Sequence, residues 1–291
     1  MIELVDKTNK CWPKEKAWDW YNKHDYIIGV NYNPRYAVNS TEFWQKATFD
    51  IEIIKQELSW AKQYGYNSVR VFLQYLLWEN DSIIFKKHFS QFLECAASLN
   101  ISVTPVLFDD CAFAGLEPYL GKQSPPKPLL HNSGWTPSPG EKYTNNLNTY
   151  NLLRAYVEDI VFSFKNDKRI LMWDLYNEPG NSKRGSKSLY LLEKAFEWAR
   201  ACRPNQPLTA GFWGVLNGAA VNDTYFVDLK ALELSDIITF HHYADEIATK
   251  KTISILQELD YPIICTEWLA RVFFNSRVDN ILLLFDELNV G

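Results

Sequence analysis

The sequence contains no apolar run approaching the roughly 20 residues that cross a bilayer, and no cluster of Lys and Arg of the kind that grips nucleic acid or an anionic surface. The formal net charge of -5 points the same way. Neither a membrane nor a nucleic acid is expected as a partner. The five cysteines, Cys11, Cys95, Cys111, Cys202 and Cys265, are odd in number and far apart, with no CxxC pair or histidine cluster. That excludes the usual zinc spacings and suits reduced thiols better than a disulfide framework. No G-x-G-x-x-G turn follows the first strand and no P-loop occurs, so the main dinucleotide and nucleotide signatures are missing. No metal or cofactor is expected. The opening residues, MIELVDKTNKCWPKEKAWDW, lack the apolar segment of a secretory leader. A cytoplasmic location is expected for the chain as written, and a secreted or periplasmic one if a leader was trimmed.

What the chain has instead is aromatic residues: 11 Trp, 16 Tyr and 17 Phe among 291 residues. These are either core packing or, in part, platforms in a carbohydrate cleft. Short apolar runs alternate with longer amphipathic ones. YIIGVNYNP (26–34), NSVRVFLQY (67–75), ISVTPVLFDD (101–110), ILMWDLYNEPG (170–180), PLTAGFWG (207–214), DIITFHHYAD (236–245) and YPIICTEWLAR (261–271) read as strands. Helical spacing is found at 49–65, 85–100, 148–166, 188–204, 248–260 and 278–289. Continuously apolar strands of this kind belong to parallel sheets covered by helices. The predicted fold is α/β, a (β/α)8 TIM barrel in one domain spanning 1–291, with seven β/α units visible. An eighth strand is needed to close such a barrel. The expectation is a truncated version of a longer protein; the N-terminal segment or another chain could also fill the gap, and an open edge invites pairing between copies. Residues 111–143 show no periodicity and hold six prolines, Pro118, Pro125, Pro126, Pro128, Pro137 and Pro139. They are predicted to form an ordered lid over the active-site face, carrying Trp135.

Barrel chemistry sits at the C-terminal ends of the strands. The residues predicted there are Asn31, Tyr32 and Asn33 on the first strand, with Arg70 inside the second and Trp78 beyond it. Asp109 and Asp110 end the third strand, and Asn177 and Glu178 the fourth. Trp213 follows the fifth, His241, His242, Tyr243 and Asp245 the sixth, and Glu267 and Trp268 the seventh. A rim of carboxylates, amides, imidazoles and indoles suits a sugar. Glu178 and Glu267 would face each other across the mouth, as two carboxyl groups do in glycosidic cleavage: about 5–5.5 Å apart for retention, roughly 6.5–9.5 Å for inversion. Arg70 could keep one of them charged. The alternatives are that Glu178 caps its loop and Glu267 pairs with Arg271.

The motifs WDLYNEPG, FHHY and CTEW resemble the retaining glycoside hydrolases of the (β/α)8 clan that contains family 5 cellulases and mannanases. The resemblance implies Glu178 as acid/base, Glu267 as nucleophile, Asn177 bonded to a sugar 2-hydroxyl, and Tyr243 holding the nucleophile beside His241. It also implies Arg70 on the second strand and Trp268 as a stacking wall. Strict alternation would turn Asn177 away from Glu178, so its role requires a bulge or twist at the strand end. The family histidine after strand three is replaced by Asp109, Asp110 or Cys111, and the strand-eight tryptophan has no counterpart. The implied substrate is an oligo- or polysaccharide. The predicted activity is a β-glycosidase of cellulase, mannanase or xylanase type. A carbohydrate-binding pseudoenzyme with an incomplete barrel is the alternative, and an inverting or transglycosylating relative is a third reading.

Overall fold

Seven parallel strands, each led in by a turn and followed by a helix, are arranged in chain order in the computed structural model, which describes residues 7, 10–214, 224–269 and 276–291. The strands are β1 (Gly29–Asn31), β2 (Ser68–Phe72), β3 (Ser102–Asp109), β4 (Trp173–Asn177), β5 (Leu208–Gly211), β6 (Ile238–His241) and β7 (Ile263–Glu267). The helices are α1 (Lys14–Tyr21), α2 (Ser40–Trp44), α3 (Ile51–Gln63), α4 (Tyr75–Ser98), α5 (Glu141–Thr144), α6 (Tyr150–Phe164), α7 (Leu189–Ala201), α8 (Tyr225–Leu234), α9 (Glu246–Gln257) and α10 (Val278–Glu287).

Strands β1 to β5 form one continuous parallel sheet, and β6 pairs with β7. The two groups meet where the amide of His241 donates to the carbonyl of Phe212 at 2.9 Å. This is the predicted (β/α)8 architecture, with helices outside and strand ends gathered at one mouth. Alternation along the strands explains the layering. Val69 and Val71 of β2, fully buried, face the helices, while Arg70 between them points into the barrel. The interior of the barrel is polar rather than oily. Thr209 and Thr239 share a hydrogen bond of 2.7 Å there, and Thr104 and Asp174 are buried beside them. Helices begin where their caps dictate: the Asp50 carboxylate accepts from the Glu52 and Ile53 amides to start α3, and Asp245 accepts from Ala248 to start α9. Asp245 therefore belongs to a helix start rather than to the rim.

Helix α4 begins ten residues earlier than the periodicity predicts, because it contains a kink at Asp81 (φ -158°, ψ 87°) that breaks the apolar register. Helices α1, α2 and α8 carry no clear sequence signal; in α8 the charged Asp228, Lys230 and Glu233 are spread around the helix, so no apolar stripe shows. Among the described residues no helix is long and apolar enough to cross a membrane.

The edges of β1 and β7 face each other without a backbone ladder. A groove of about 310 Å³ runs between them, with Gly29 and Val30 on one side, Ile264 and Glu267 on the other, and Arg70 at its floor. Among the described residues, the Asn31 side chain and the backbone of Gly291 bridge it. At the mouth, the Asn31 amide of β1 donates to the Thr266 carbonyl of β7 at 2.8 Å. At the base, Gly291 exchanges hydrogen bonds with Ile263 and Cys265 of β7, in the register of a parallel neighbour.

The base is also tied through Asp236, whose fully buried carboxylate accepts from the Trp12 amide, the Leu208 amide and the Arg200 guanidinium at 2.8–2.9 Å. Asp236→Ala is expected to cost about 3–5 kcal/mol, the usual penalty for stranding the partner of a buried ion pair. Urea unfolding measures it; a loss below about 1 kcal/mol would mean that the pair behaves as a surface one.

Candidate active site

The mouth of the barrel is organised by one guanidinium. Arg70, 5% exposed, donates from Nε and Nη2 to Asp174 (2.9 and 2.7 Å), from Nη2 to Asn177 (2.6 Å), and from Nη1 to both Asn31 and Glu267 (2.9 Å each). Burial works against its charge, but the Asp174 and Glu267 carboxylates more than compensate and hold the guanidinium protonated. Glu267 also accepts from the Tyr243 hydroxyl at 2.5 Å, so each of its oxygens has a donor. Burial, then the Glu267 charge, drives the Tyr243 phenol far above its ordinary range, so it stays a donor.

Glu178 lies opposite, 6% exposed. Its Oε1 faces His241 Nδ1 at 2.7 Å, and its Oε2 accepts from the Cys111 thiol at 3.2 Å and from the Asn181 amide. Burial pushes this carboxyl up, yet the His241 bond and charge, with Cys111 and Asn181, outweigh burial and bring it below its usual value. The complementary effect acts on His241. Burial opposes its protonation, while the Glu267 charge and the Glu178 bond raise it. A proton on the imidazole beside an ionised Glu178 is thus the favoured resting arrangement. The closest ligand atoms of Glu178, His241 and Glu267 lie within 4.8 Å of one another. That spacing would admit a small cation, but the charge opposite the two carboxylates comes here from Arg70 and His241.

The backbone explains how Asn177 and Glu178 both reach the mouth. The β4–β5 register shifts between Asp174 and Asn177, a bulge that breaks strict alternation. Glu178 then adopts φ 43°, the left-handed region that non-glycine residues seldom occupy outside functional turns. Asp174 and Asn177 consequently contact the same guanidinium, and Glu178 swings to His241. Gly211 at the end of β5 makes room for that ring, since a Cβ there would stand 2.7 Å from His241 Nε2.

No family model and no curated protein matches the chain. Solved structures do. The β-1,4-D-mannanase of Cryptopygus antarcticus superposes with a TM-score of 0.60 at 13% identity, covering 89% of this chain and 80% of its own. The endo-1,4-β-mannanase of Rhizomucor miehei gives 0.58 at 16% identity, covering 91% and 84%. GH5_18 from Streptomyces cattleya, solved in complex with GlcNAc, gives 0.52 at 12% identity; 79% of this chain is covered, and the chain spans about half of that longer protein, 53%. The fold is the (β/α)8 fold of these solved structures.

Of the residues expected in the site, Arg70, Asn177, Glu178, His241, Tyr243 and Glu267 come together in one hydrogen-bonded cluster. Within it His241 is fully buried, with Nδ1 against Glu178. The other expected residues have partners of their own. Asp110 is turned under the loop after β4, where Tyr176, the Gly180 amide, Ser188 and Arg184 surround it. Asp109 is engaged by Asn177, the Cys111 amide and Trp135. Asn33 closes a turn by donating to the Ala37 carbonyl. Trp213 follows β5 with its amide on Asp228, and Trp268 stands edge-on to Phe285 of α10. Arg271, the alternative partner of Glu267, lies outside the described residues; Glu267 pairs with Arg70.

Asp174 and Asn181 escape a reading confined to strand ends, whereas Cys111 is one of the three residues expected after strand three. Asp174 had a signal nonetheless: a lone carboxylate within an apolar strand needs a buried cation, and Arg70 is the one charged residue inside β2. In His241→Ala, burial of Glu178 is left unopposed by the imidazole, so its titration moves to higher pH. The carboxyl carbon chemical shift of Glu178 followed against pH would show it; an unmoved or lowered titration would contradict the assigned coupling.

Proposed function

We propose that the protein is a retaining β-glycosidase, with Glu267 as nucleophile and Glu178 as acid/base. The observation that carries this reading is the approach of the two carboxylates, within 4.8 Å at their nearest ligand atoms across the mouth. Nearest-atom distances run shorter than the separation between carboxyl groups, and so close an approach is compatible with the roughly 5–5.5 Å of retaining enzymes. Glu267, oriented by Arg70 and Tyr243, attacks the anomeric carbon as the glycosidic C–O bond breaks, and Glu178, having taken up the proton that rests on His241 Nδ1, gives it to the departing oxygen. Water deprotonated by Glu178 then cleaves the glycosyl ester, returning the proton to Glu178 and freeing Glu267. A sugar filling the cleft excludes water from Glu178, adding to the upward push of burial that the acid step needs. Neighbours of this fold include endo-β-1,4-mannanases, so β-1,4-linked mannans are the first substrates to try, with β-glucans and xylans beside them.

The groove between β1 and β7 opens one side of Glu267 and Arg70, which favours a second reading. In it the cleft binds carbohydrate without turning it over. Glu267→Gln separates the two. For a retaining enzyme, turnover should fall on the order of 10⁴-fold or more while sugar binding persists. Glu178→Ala should lose about 10²–10⁴-fold on poor leaving groups and far less on activated aryl glycosides. Undiminished turnover in Glu267→Gln, or equal losses across leaving groups in Glu178→Ala, would overturn the assigned roles. Binding without turnover by the unaltered chain would establish the second reading.

A further inference from the structure

The loop that leaves β3 runs against the loop that leaves β4, and the two are tied together on either side of Cys111. The Asp110 amide donates to the Asn177 carbonyl at 3.4 Å, and the Asp110 carboxylate accepts from the Gly180 amide at 2.7 Å. On the other side, the Ala112 amide donates to Ser182 Oγ at 2.9 Å. The Cys111 amide itself donates to Asp109 Oδ1 at 2.9 Å. These anchors fix where the side chain falls. The thiol is 5% exposed and lies between Asn177 and Glu178. Asn177 Nδ2 donates to the sulfur at 3.5 Å, and the thiol donates to Glu178 Oε2 at 3.2 Å. Asn177 in turn accepts from Arg70 Nη2. One chain of donors therefore runs from Arg70 through Asn177 and Cys111 to Glu178, each bond polarising the next.

What the thiol does there follows from its chemistry. Around Glu178 stand His241 at the end of β6, Tyr243 just beyond it, Glu267 of β7, Asp109 of β3 and Asn181 on the loop after β4. Arg70 of β2 reaches this carboxyl through Asn177 and Glu267. Burial, then the Asp109 and Glu178 charges, hold the Cys111 thiol well above its ordinary range. It stays a neutral donor, neither ionising nor taking a proton. An ionised carboxylate accepts such a bond more strongly than a neutral carboxyl does, so the contact favours the ionised form without bringing a second cation to the site. His241 is left as the hydrogen-bonded partner that can exchange a proton with Glu178.

We propose that Cys111 is a positioning residue for Glu178: its thiol holds Oε2 while the carboxylate faces His241, in a contact that weakens once the carboxyl takes its proton. The inference deepens the proposed function, since it concerns the same carboxyl, and rests on that reading only for its kinetic consequence.

Two measurements test it. The carboxyl carbon chemical shift of Glu178, identified by its absence from Glu178→Gln, is followed against pH. Loss of a donor to the ionised form favours the protonated one, so Cys111→Ala should move the titration to higher pH. Cys111→Ser, which keeps a neutral donor in the same place, should return it to the unaltered position or below. In kinetics on a β-1,4-linked oligosaccharide, the alkaline limb of kcat/KM, where the acid loses its proton, should move up in Cys111→Ala and back in Cys111→Ser. A purely structural role would lower turnover without moving the limb. A shifted titration in a chain without turnover, or with an unmoved limb, upholds the thiol contact and counts against the acid/base assignment only. An unmoved titration in Cys111→Ala, or the same displacement in Cys111→Ala and Cys111→Ser, would overturn the proposal.

Discussion

The guanidinium of Arg70 is the contact on which the rest of the mouth depends. It donates to side chains of β1, β4 and β7 from its own position on β2, so four strands are held by one planar cation. A buried charge is expensive unless paired and fully hydrogen-bonded. Here Asp174 and Glu267 supply the counter-charges, and Asn31 and Asn177 satisfy the remaining donors. The planar fork suits this task in a way an ammonium would not, since several N–H vectors must diverge within one plane. Where the backbone ladder between β1 and β7 is missing, the Asn31 amide carries the link, accepting from Arg70 and donating to Thr266.

The two glutamates inherit different surroundings from this frame. Glu267 faces a permanent cation and a phenol, whereas Glu178 faces an imidazole, a thiol and an amide. Two carboxyl groups with unlike partners are what a division of labour between nucleophile and acid/base requires. His241 is hydrogen-bonded to Glu178 and stands 3.7 Å from Glu267, and the charges of both hold its imidazole above its ordinary value against the cost of burial. The Cys111 thiol beside Glu178, raised first by burial and then by the neighbouring Asp109 and Glu178 charges, remains a neutral donor.

Much of this was legible in the sequence, and the reasons are physical. Apolar strands ending in Asn177-Glu178 and in Glu267 stand out because carboxylates at the ends of buried elements need a cause. The position of Tyr243 two residues after His241 likewise places both near one strand end. Less visible were effects that depend on tertiary geometry. The bulge in β4 and the left-handed turn at Glu178 cannot be read from periodicity, yet they decide where Asn177 points. The adjacent Asp109 and Asp110 look alike in sequence, but alternation sends Asp109 to Asn177 and Asp110 to the loop below. Helix α8 escaped notice because its charges at Asp228, Lys230 and Glu233 fall on different faces and leave no apolar stripe to detect.

The central claim is that the paired glutamates cleave with retention, and the anomeric configuration of the first-formed product tests it most directly. Proton NMR during hydrolysis of a β-1,4-linked manno- or gluco-oligosaccharide distinguishes the two anomers before they equilibrate. The account predicts that the β-anomer is released first and the α-anomer grows in only by mutarotation. Initial release of the α-anomer would contradict it, because Glu267 would then be activating water instead of forming the glycosyl ester.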